Sequence, residues 1–308
     1  MSQQAPLGPT QPTAKRPNSV ALGFQPSDYF NNSYFGTSAG VVDVAKAKEI
    51  GNCLQTNATA MFDFETWLAK FATYGSRVAP APDRLVYQSA VAQTMGIVKG
   101  TARGSTNRYM PYQAMLGLGG PDWGTPWINA YIDTNRTIFT EPVPGAPGGI
   151  GSLFNIKLVS AYRRYMNFNY ERQRIAWLAS SLRLVYPGEE ICAGVSPRLI
   201  GVEDAGPRRY DYMTYEEMRA YLDVVMENFD HVTLWNSNHY GPEGTPLSQR
   251  NSSGYAIVPG TTATINGEGW NENAGWWRAV KDAMRGRRVD TIQYNQSGGS
   301  QSPGIRTR

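Results

Sequence analysis

The sequence is poor in cysteine and histidine, the residues on which many catalytic and metal sites depend. It contains two cysteines, Cys53 and Cys192, and two histidines, His231 and His239. The cysteines lie in apolar surroundings, which predicts two buried free thiols and excludes a disulfide framework. The histidines have no third ligand in the pattern, so they make a poor metal site, and a His-dependent triad could use only these two. The sequence predicts no metal and no other cofactor.

Long apolar runs are also missing. No stretch approaches the roughly 18 apolar residues of a membrane span, and the N-terminal segment lacks the apolar core of a signal peptide. These absences predict a cytoplasmic or virion-associated protein. Charged residues make up only 18% of the chain, while Gly (32) and Pro (20) are frequent, which indicates many loops around an ordinary globular core.

The two ends differ in composition from the middle. Residues 1–19 form a Pro/Gln/Thr-rich arm and residues 295–308 a flexible basic tail, which leaves 20–294 as one folded domain. From residue 281 onward there are six basic and two acidic residues, and this excess accounts for the whole net charge of +4. We expect the arms to contact copies of the chain or other subunits. Nucleic acid is not an expected partner, because no interleaving of basic and aromatic residues continues into the domain.

The domain alternates short apolar strands with loops and helices. Continuous apolar runs at 58–63, 190–196 and 232–235 predict buried parallel strands joined by crossover helices. The fold class is therefore α/β. Our first choice is a TIM-type (β/α)8 barrel, whether regular, irregular or incomplete, with extended N- and C-terminal arms, and our second is a doubly wound open sheet.

The segments between the strands divide into loops and helices. Residues 123–151 and 236–271 predict two long loops, and 152–186 predicts a helix that breaks near Asn167. The sequence Thr214-Tyr-Glu-Glu217 is a capping box that predicts the start of another helix.

One strand ends in two acids. In the sequence NATAMFDFETW, Asp63 and Glu65 follow a run of apolar residues, and alternation places both on one side of the strand. Because like charges held close together cannot both ionise freely, one pKa rises, as a general acid requires. An alternative is that the acids cap the helix expected to start near Trp67.

Further candidate residues follow the ends of the predicted strands. If the strands are parallel, their carboxyl ends meet at one face, and two acids with aromatic rings and amides suit glycoside cleavage. Each ring could instead belong to the core, and each Asp or Asn to a turn. We expect substrate-binding residues at Trp67, Asp122, Trp123, Trp235, Asn236, Asn238 and Tyr240.

These segments resemble the hyaluronidase-like and chitinase-like barrel glycosidases. FDFETW resembles their acid-bearing strand, and the runs LVYPGEEICAGVSPR and MTYEEMRAYLDVVMENFDHVTLWNS resemble the closing half of such barrels. The resemblance implies that Glu65 is the general acid, that Asp63 orients the N-acetyl group of the substrate, and that Trp235 is a platform for the sugar. It implies a polysaccharide as substrate or ligand. The alternative is a non-catalytic structural protein, such as a phage virion component, on the same scaffold.

Overall fold

A computed structural model describes the central part of the chain. The described residues are 19–22, 36–54, 56, 59–64, 67, 70–73, 77–78, 81–104, 106–111, 114, 125–200, 202–236, 238–267, 271, 273–285 and 288–291. Nearly all of the predicted N-terminal arm and the whole C-terminal tail lie outside them.

The described residues form an α/β protein with nine strands and six α-helices. The strands are β1 (Ser19–Leu22), β2 (Thr59–Phe62), β3 (Ala72–Thr73), β4 (Arg77–Val78), β5 (Arg108–Pro111), β6 (Ile156–Ser160), β7 (Glu190–Val195), β8 (His231–Leu234) and β9 (Arg288–Thr291). The helices are α1 (Val44–Cys53), α2 (Ala81–Thr101), α3 (Thr125–Thr140), α4 (Phe168–Val185), α5 (Tyr215–Asn228) and α6 (Gly275–Met284).

Seven of the described strands pair in parallel. Five make one sheet in the order β6-β7-β8-β1-β9, and β2 pairs with β5. Two hydrogen bonds join these groups beside β5 and β6: Asn155 N–H donates to the Tyr109 carbonyl (2.9 Å), and Ala114 N–H donates to the Leu158 carbonyl (2.6 Å). The parallel strands therefore follow one another from β2 to β9, while β3 and β4 form a separate antiparallel hairpin.

The parallel strands curve around a common interior. In a flat sheet, β5 and β8 would be three strand spacings apart, or roughly 14 Å. Instead, the Thr233 hydroxyl on β8 lies 4.0 Å from the Met110 sulfur on β5. Between them, the side chains of Met61, Met110, Ile156, Leu158 and Cys192 form an apolar inner cluster. The sheet is therefore curved, as a barrel-like fold requires.

The closed eight-stranded barrel is not what the described residues form. In such a barrel β1 pairs with both the second and the last strand. Here the two edges of β1 are occupied by β8 and β9, with Val20 opposite both Val232 and Val289. No edge of β1 remains for β2. The described residues therefore show a curved, mostly parallel α/β sheet, which is consistent with the incomplete form of the predicted barrel and not with a complete one.

Two predicted segments differ from the structure. Residues 125–140 form helix α3 inside 123–151, the segment predicted as a loop. The Gly and Pro residues that suggested a loop lie near the two ends of that segment. Residues 156–160 form strand β6 inside the segment predicted as a helix. All five of its residues are buried, and a short apolar run buried on both sides does not distinguish strand from helix by periodicity. The helix predicted after Asn167 and the capping box at Thr214 are confirmed.

Helices cover the outside of the sheet. Side chains that alternate with the inner cluster along the strands, such as Phe62, Ala193 and Leu234, belong to a larger core shared with the helices. Helix α1 packs against α2, and α5 packs against α6. None of the helices in the described part of the chain is both long and apolar enough to cross a bilayer.

The two cysteines occupy opposite environments. Cys192 is buried in the inner cluster, as predicted, but Cys53 is exposed. Helix α1 turns Ala47, Ile50 and Gly51 toward the core, which leaves Cys53 on its outer side. Burial raises the pKa of the Cys192 thiol to about 12.

We expect one fast-reacting thiol in the native protein. At pH 8 a thiol reagent should modify Cys53, while Cys192 stays protonated and shielded until the protein unfolds. Spectrophotometric titration with and without denaturant measures both. The variant Cys53→Ser should show no fast thiol, and two thiols of similar native reactivity would contradict the burial of Cys192.

Candidate functional site

The inner sides of the parallel strands lead to one edge of the sheet, where their carboxyl ends lie and which we regard as an opening. Thr233 faces the interior, so alternation along β8 brings Trp235 to the same side at the opening. In the same way Leu158 leads to Tyr162 after β6, and Met61 leads to Asp63 after β2. This opening, which we call the mouth, is where parallel-stranded enzymes place their sites.

Trp235 lies at the centre of an aromatic group in the mouth. Its ring stacks on Tyr162 at 5.4 Å between centroids and 22° between planes. Tyr240 meets Trp235 edge-on at 6.1 Å and stacks on Tyr210 at 5.4 Å. Tyr162, Tyr210 and Tyr240 are buried, while Trp235 is half-buried. The buried rings therefore hold the indole of Trp235 as a fixed, partly exposed surface.

Two polar atoms of this region have no hydrogen-bond partner among the residues that the structure describes. One is Trp235 Nε1, a donor, and the other is Asn236 Oδ1, an acceptor. The Nδ2 group of Asn236 donates to the hydroxyl of Tyr212 at 3.1 Å, which fixes its side chain. Buried polar atoms are nearly always hydrogen-bonded, and an exception calls for a functional explanation.

The predicted residues at the start of the mouth divide between core and surface. Trp67 is 0% exposed, donates from Nε1 to the Thr37 carbonyl (2.8 Å) and stacks on Phe64. Its ring therefore belongs to the core and offers no face to a substrate, which corrects its assignment as a binding residue. Asp63 is half-buried. Glu65 lies outside the described residues, so its geometry relative to Asp63 stays a prediction.

The remaining predicted residues lie in loops of the same end of the sheet. Asp122 and Trp123 are outside the described residues. Asn238 begins a single 3-10 turn, Asn238–Tyr240, which brings Tyr240 back against Trp235. Residues 241–267 contain a second such turn, Leu247–Gln249, and isolated β-bridges, which agrees with the predicted loop. In the part of the chain that is described, no three His, Cys, Asp or Glu side chains gather as a metal site.

Sequence reasoning missed several residues of the mouth. Tyr162 was not predicted as a site residue because β6 was assigned to a helix, so no strand end was expected before it. Arg198, Tyr210 and Tyr212 lie in the segment after β7, where only the run Ser-Pro-Arg gave a signal. That segment folds back on itself through an antiparallel bridge between Arg198 and Tyr212, which sequence spacing alone does not reveal.

A buried ion pair fixes the segment that carries Tyr162. Glu171, in the first turn of α4, pairs with Arg174, and both side chains are buried. The second oxygen of Glu171 accepts from the backbone N–H groups of Arg164 and Tyr165, both at 3.2 Å. Arg174 Nη2 donates to the Tyr162 carbonyl at 2.7 Å. Burial opposes the charge of Arg174, but Glu171 raises the pKa of Arg174 above its usual value.

A second carboxylate connects the segments after β6 and β7. Glu217 accepts two hydrogen bonds from Arg208, at 2.7 and 2.9 Å, and lies 3.9 Å from Arg163. It also completes the capping box with Thr214. The hydrogen bonds from Arg208 lower the pKa of Glu217, against the effect of its partial burial.

A cavity of about 460 Å³ opens beside the Arg208–Glu217 pair, at the N-terminal ends of α5 and α6. Tyr212 and Trp276, stacked at 5.4 Å, form its aromatic wall. The charged side chains that line it are Arg208, Asp211 and Glu243. Its volume falls in the range of small-ligand pockets.

Comparison with known proteins gives little. No protein-family model and no curated protein match the chain. Two crystal structures of bee venom hyaluronidase are similar: the complex with a hyaluronic acid tetramer (TM-score 0.44) and the monoclinic form (TM-score 0.45). Each is 12% identical to this chain, and the similarity covers 71% of this chain and 79% of that chain. A likeness below a TM-score of 0.5 carries no conclusion about this protein.

We expect Glu171→Gln to destabilise the protein strongly. The substitution leaves Arg174 buried without its counter-charge, which typically costs about 3–5 kcal/mol of unfolding free energy. Urea denaturation measures the change. In the control Asp223→Asn, which breaks the exposed pair with Arg219, the loss should be at most about 0.5 kcal/mol. Equal losses in the two variants would contradict a special role for the buried pair.

We expect the contribution of Glu217 to disappear in acid. Its folded-state pKa lies below the usual 4.5, so its stabilisation is complete above that value and is lost as the pH falls through the folded pKa. Glu217→Gln keeps a side chain that can complete the capping box but removes the charge. Wild type should therefore be more stable than the variant at pH 7, and the difference should shrink steadily as the pH falls below 4.5. A difference independent of pH would contradict this account.

Proposed function

We propose that this protein binds a polysaccharide in the mouth and acts on it as a glycoside hydrolase. The observation that supports this best is the half-buried ring of Trp235, which rests on Tyr162 beside two unpaired polar atoms, Trp235 Nε1 and Asn236 Oδ1. A pyranose ring has C–H groups on its faces and hydroxyls around its edge. An aromatic surface with one donor and one acceptor at its border is complementary to such a ring.

The proposed chemistry uses the acids that follow β2. Glu65 donates a proton to the glycosidic oxygen as the bond from that oxygen to the anomeric carbon breaks. Asp63 orients the N-acetyl group of the substrate, whose oxygen attacks the anomeric carbon. Water then attacks the same carbon, breaks its bond to the N-acetyl oxygen and returns a proton to Glu65. Alternation from Met61, in the inner cluster, supports a position for Asp63 toward the mouth. Substrate-assisted attack of this kind needs only one acid to donate the proton.

The first test measures reducing ends released from hyaluronan, chitin, peptidoglycan and bacterial capsule. We expect release from at least one of them, with a loss of more than about 100-fold in Glu65→Gln, because general acid catalysis contributes about that much or more. Asp63→Asn should also lower the rate. The control is Asp223→Asn, which removes an exposed carboxylate on α5 and should keep wild-type activity.

The second half of the experiment measures binding to the same polysaccharides. Trp235→Ala should weaken binding more than about tenfold, whereas Trp235→Phe, which keeps a ring but lacks the Nε1 donor, should retain part of it. Binding that depends on Trp235 without any release of reducing ends would favour the non-catalytic component of a larger assembly. If the folded protein shows neither release of reducing ends nor binding that depends on Trp235, a glycan function is refuted.

A further inference from the structure

Arg198 is a buried cation that follows β7 directly after Ser196 and Pro197. Its side chain is 0% exposed. The Nη1 group donates to the Tyr210 carbonyl at 3.0 Å, and the guanidinium carbon lies 3.9 Å from the centre of the Tyr212 ring. These contacts occupy one end and one face of the guanidinium group.

Two further donors of Arg198 are unpaired. Nε and Nη2 are both buried, and neither has a hydrogen-bond partner among the described residues. Within the described part of the chain, no carboxylate lies at ion-pair distance from Arg198. The N–H bonds of Nε and Nη2 point in the same direction and form the fork that binds a carboxylate or another oxyanion through two parallel hydrogen bonds. The unpaired atoms therefore make up one complete anion-binding edge.

A neighbouring charge adds to the lack of pairing of Arg198. A buried charge without a counter-charge is destabilising, and the charge of nearby Arg250 has the same sign. Burial lowers the pKa of Arg250, Asp211 opposes that shift, and Arg198 adds to it. Tyr210, whose carbonyl binds Arg198, has a φ of +78°, a strained value for a residue other than glycine. Strain and uncompensated charge in one place are typical of a binding site.

Asn236 holds the ring that covers Arg198. Arg198 lies over the ring of Tyr212, and the Nδ2 group of Asn236, a residue that is 9% exposed, donates to the hydroxyl of that ring. Tyr212 therefore contacts both Arg198 and Asn236.

We propose that the Nε–Nη2 edge of Arg198 binds an oxyanion of the carboxylate or sulfate class. The inference goes beyond the proposed glycan function, because the site stands whether or not a sugar binds at Trp235. The proposed ligand approaches from the side of the 460 Å³ cavity, because Tyr212 both covers Arg198 and lines that cavity.

The test follows the thermal unfolding temperature, Tm, during titration with 0–20 mM sodium formate or sodium sulfate, with sodium chloride keeping the ionic strength constant. We expect the Tm of the wild type to rise by at least about 2 °C and to saturate, as specific binding requires. General salt effects develop over higher concentrations without saturating. Arg198→Met should show no saturating rise, whereas Arg285→Met, which removes an 85% exposed charge, should behave as the wild type does.

A second readout separates anion binding from a purely structural role. In buffer without oxyanions, Arg198→Met should have a Tm equal to or above that of the wild type, because it removes an uncompensated buried charge. A lower Tm together with an unchanged response to formate would overturn the proposal. So would a wild-type response to formate and sulfate no larger than that to chloride, a comparison that holds even if Arg198→Met fails to fold.

The source of the oxyanion is decided by repeating the titration with oligosaccharides of equal length, one containing uronic acids and one neutral. Stabilisation by the acidic oligosaccharide that is lost in Arg198→Met would assign the oxyanion to a glycan. Stabilisation by formate or sulfate but by neither sugar would support a free anion as the ligand, and would count against the glycan function rather than against the Arg198 site.

Discussion

The buried pair of Glu171 and Arg174 is the interaction on which the mouth of the sheet depends. Glu171 binds two backbone N–H groups of the segment after β6, and Arg174 binds the carbonyl of Tyr162 in that segment. The pair therefore joins the first turn of α4 to the chain that leaves the sheet. Since both side chains are buried, their attraction is little screened by water, and the segment has one geometry. That geometry places Tyr162 where Trp235 can stack on it.

A similar arrangement of charge holds the neighbouring segment. Glu217 is shared by Arg208 and Arg163, so the chain after β7 is held against the chain after β6. Arg198 differs from these arginines because no carboxylate of the described chain pairs with it. The contrast is chemically informative. Glu171 and Glu217 supply the counter-charges of Arg174 and Arg208, whereas we propose that an external oxyanion supplies that of Arg198.

The fold was partly predictable because local sequence patterns indicate several of its helices and strands. The capping box at Thr214 and the apolar face of α5 were evident, and both strands that flank α5 were predicted within a residue or two. Strand β6 was assigned to a helix because all its residues are buried, which removes the alternation that identifies a strand. For the site, Trp235 and Asn236 directly follow β8, and their role in binding stays a prediction. Trp67 follows a strand too, yet its ring turns into the core.

By itself the sequence determined the α/β class, the parallel strands and the concentration of polar and aromatic residues at their carboxyl ends, because these follow from short-range periodicity and composition. Only the tertiary structure decided that β1 lies between β8 and β9, that Tyr162 supports Trp235, and that Arg198 is buried with no carboxylate of the described residues as its partner. These features depend on contacts between residues distant in the chain. Such contacts follow from how the sheet curves and how its loops fold back, and neither leaves a periodic mark in the sequence.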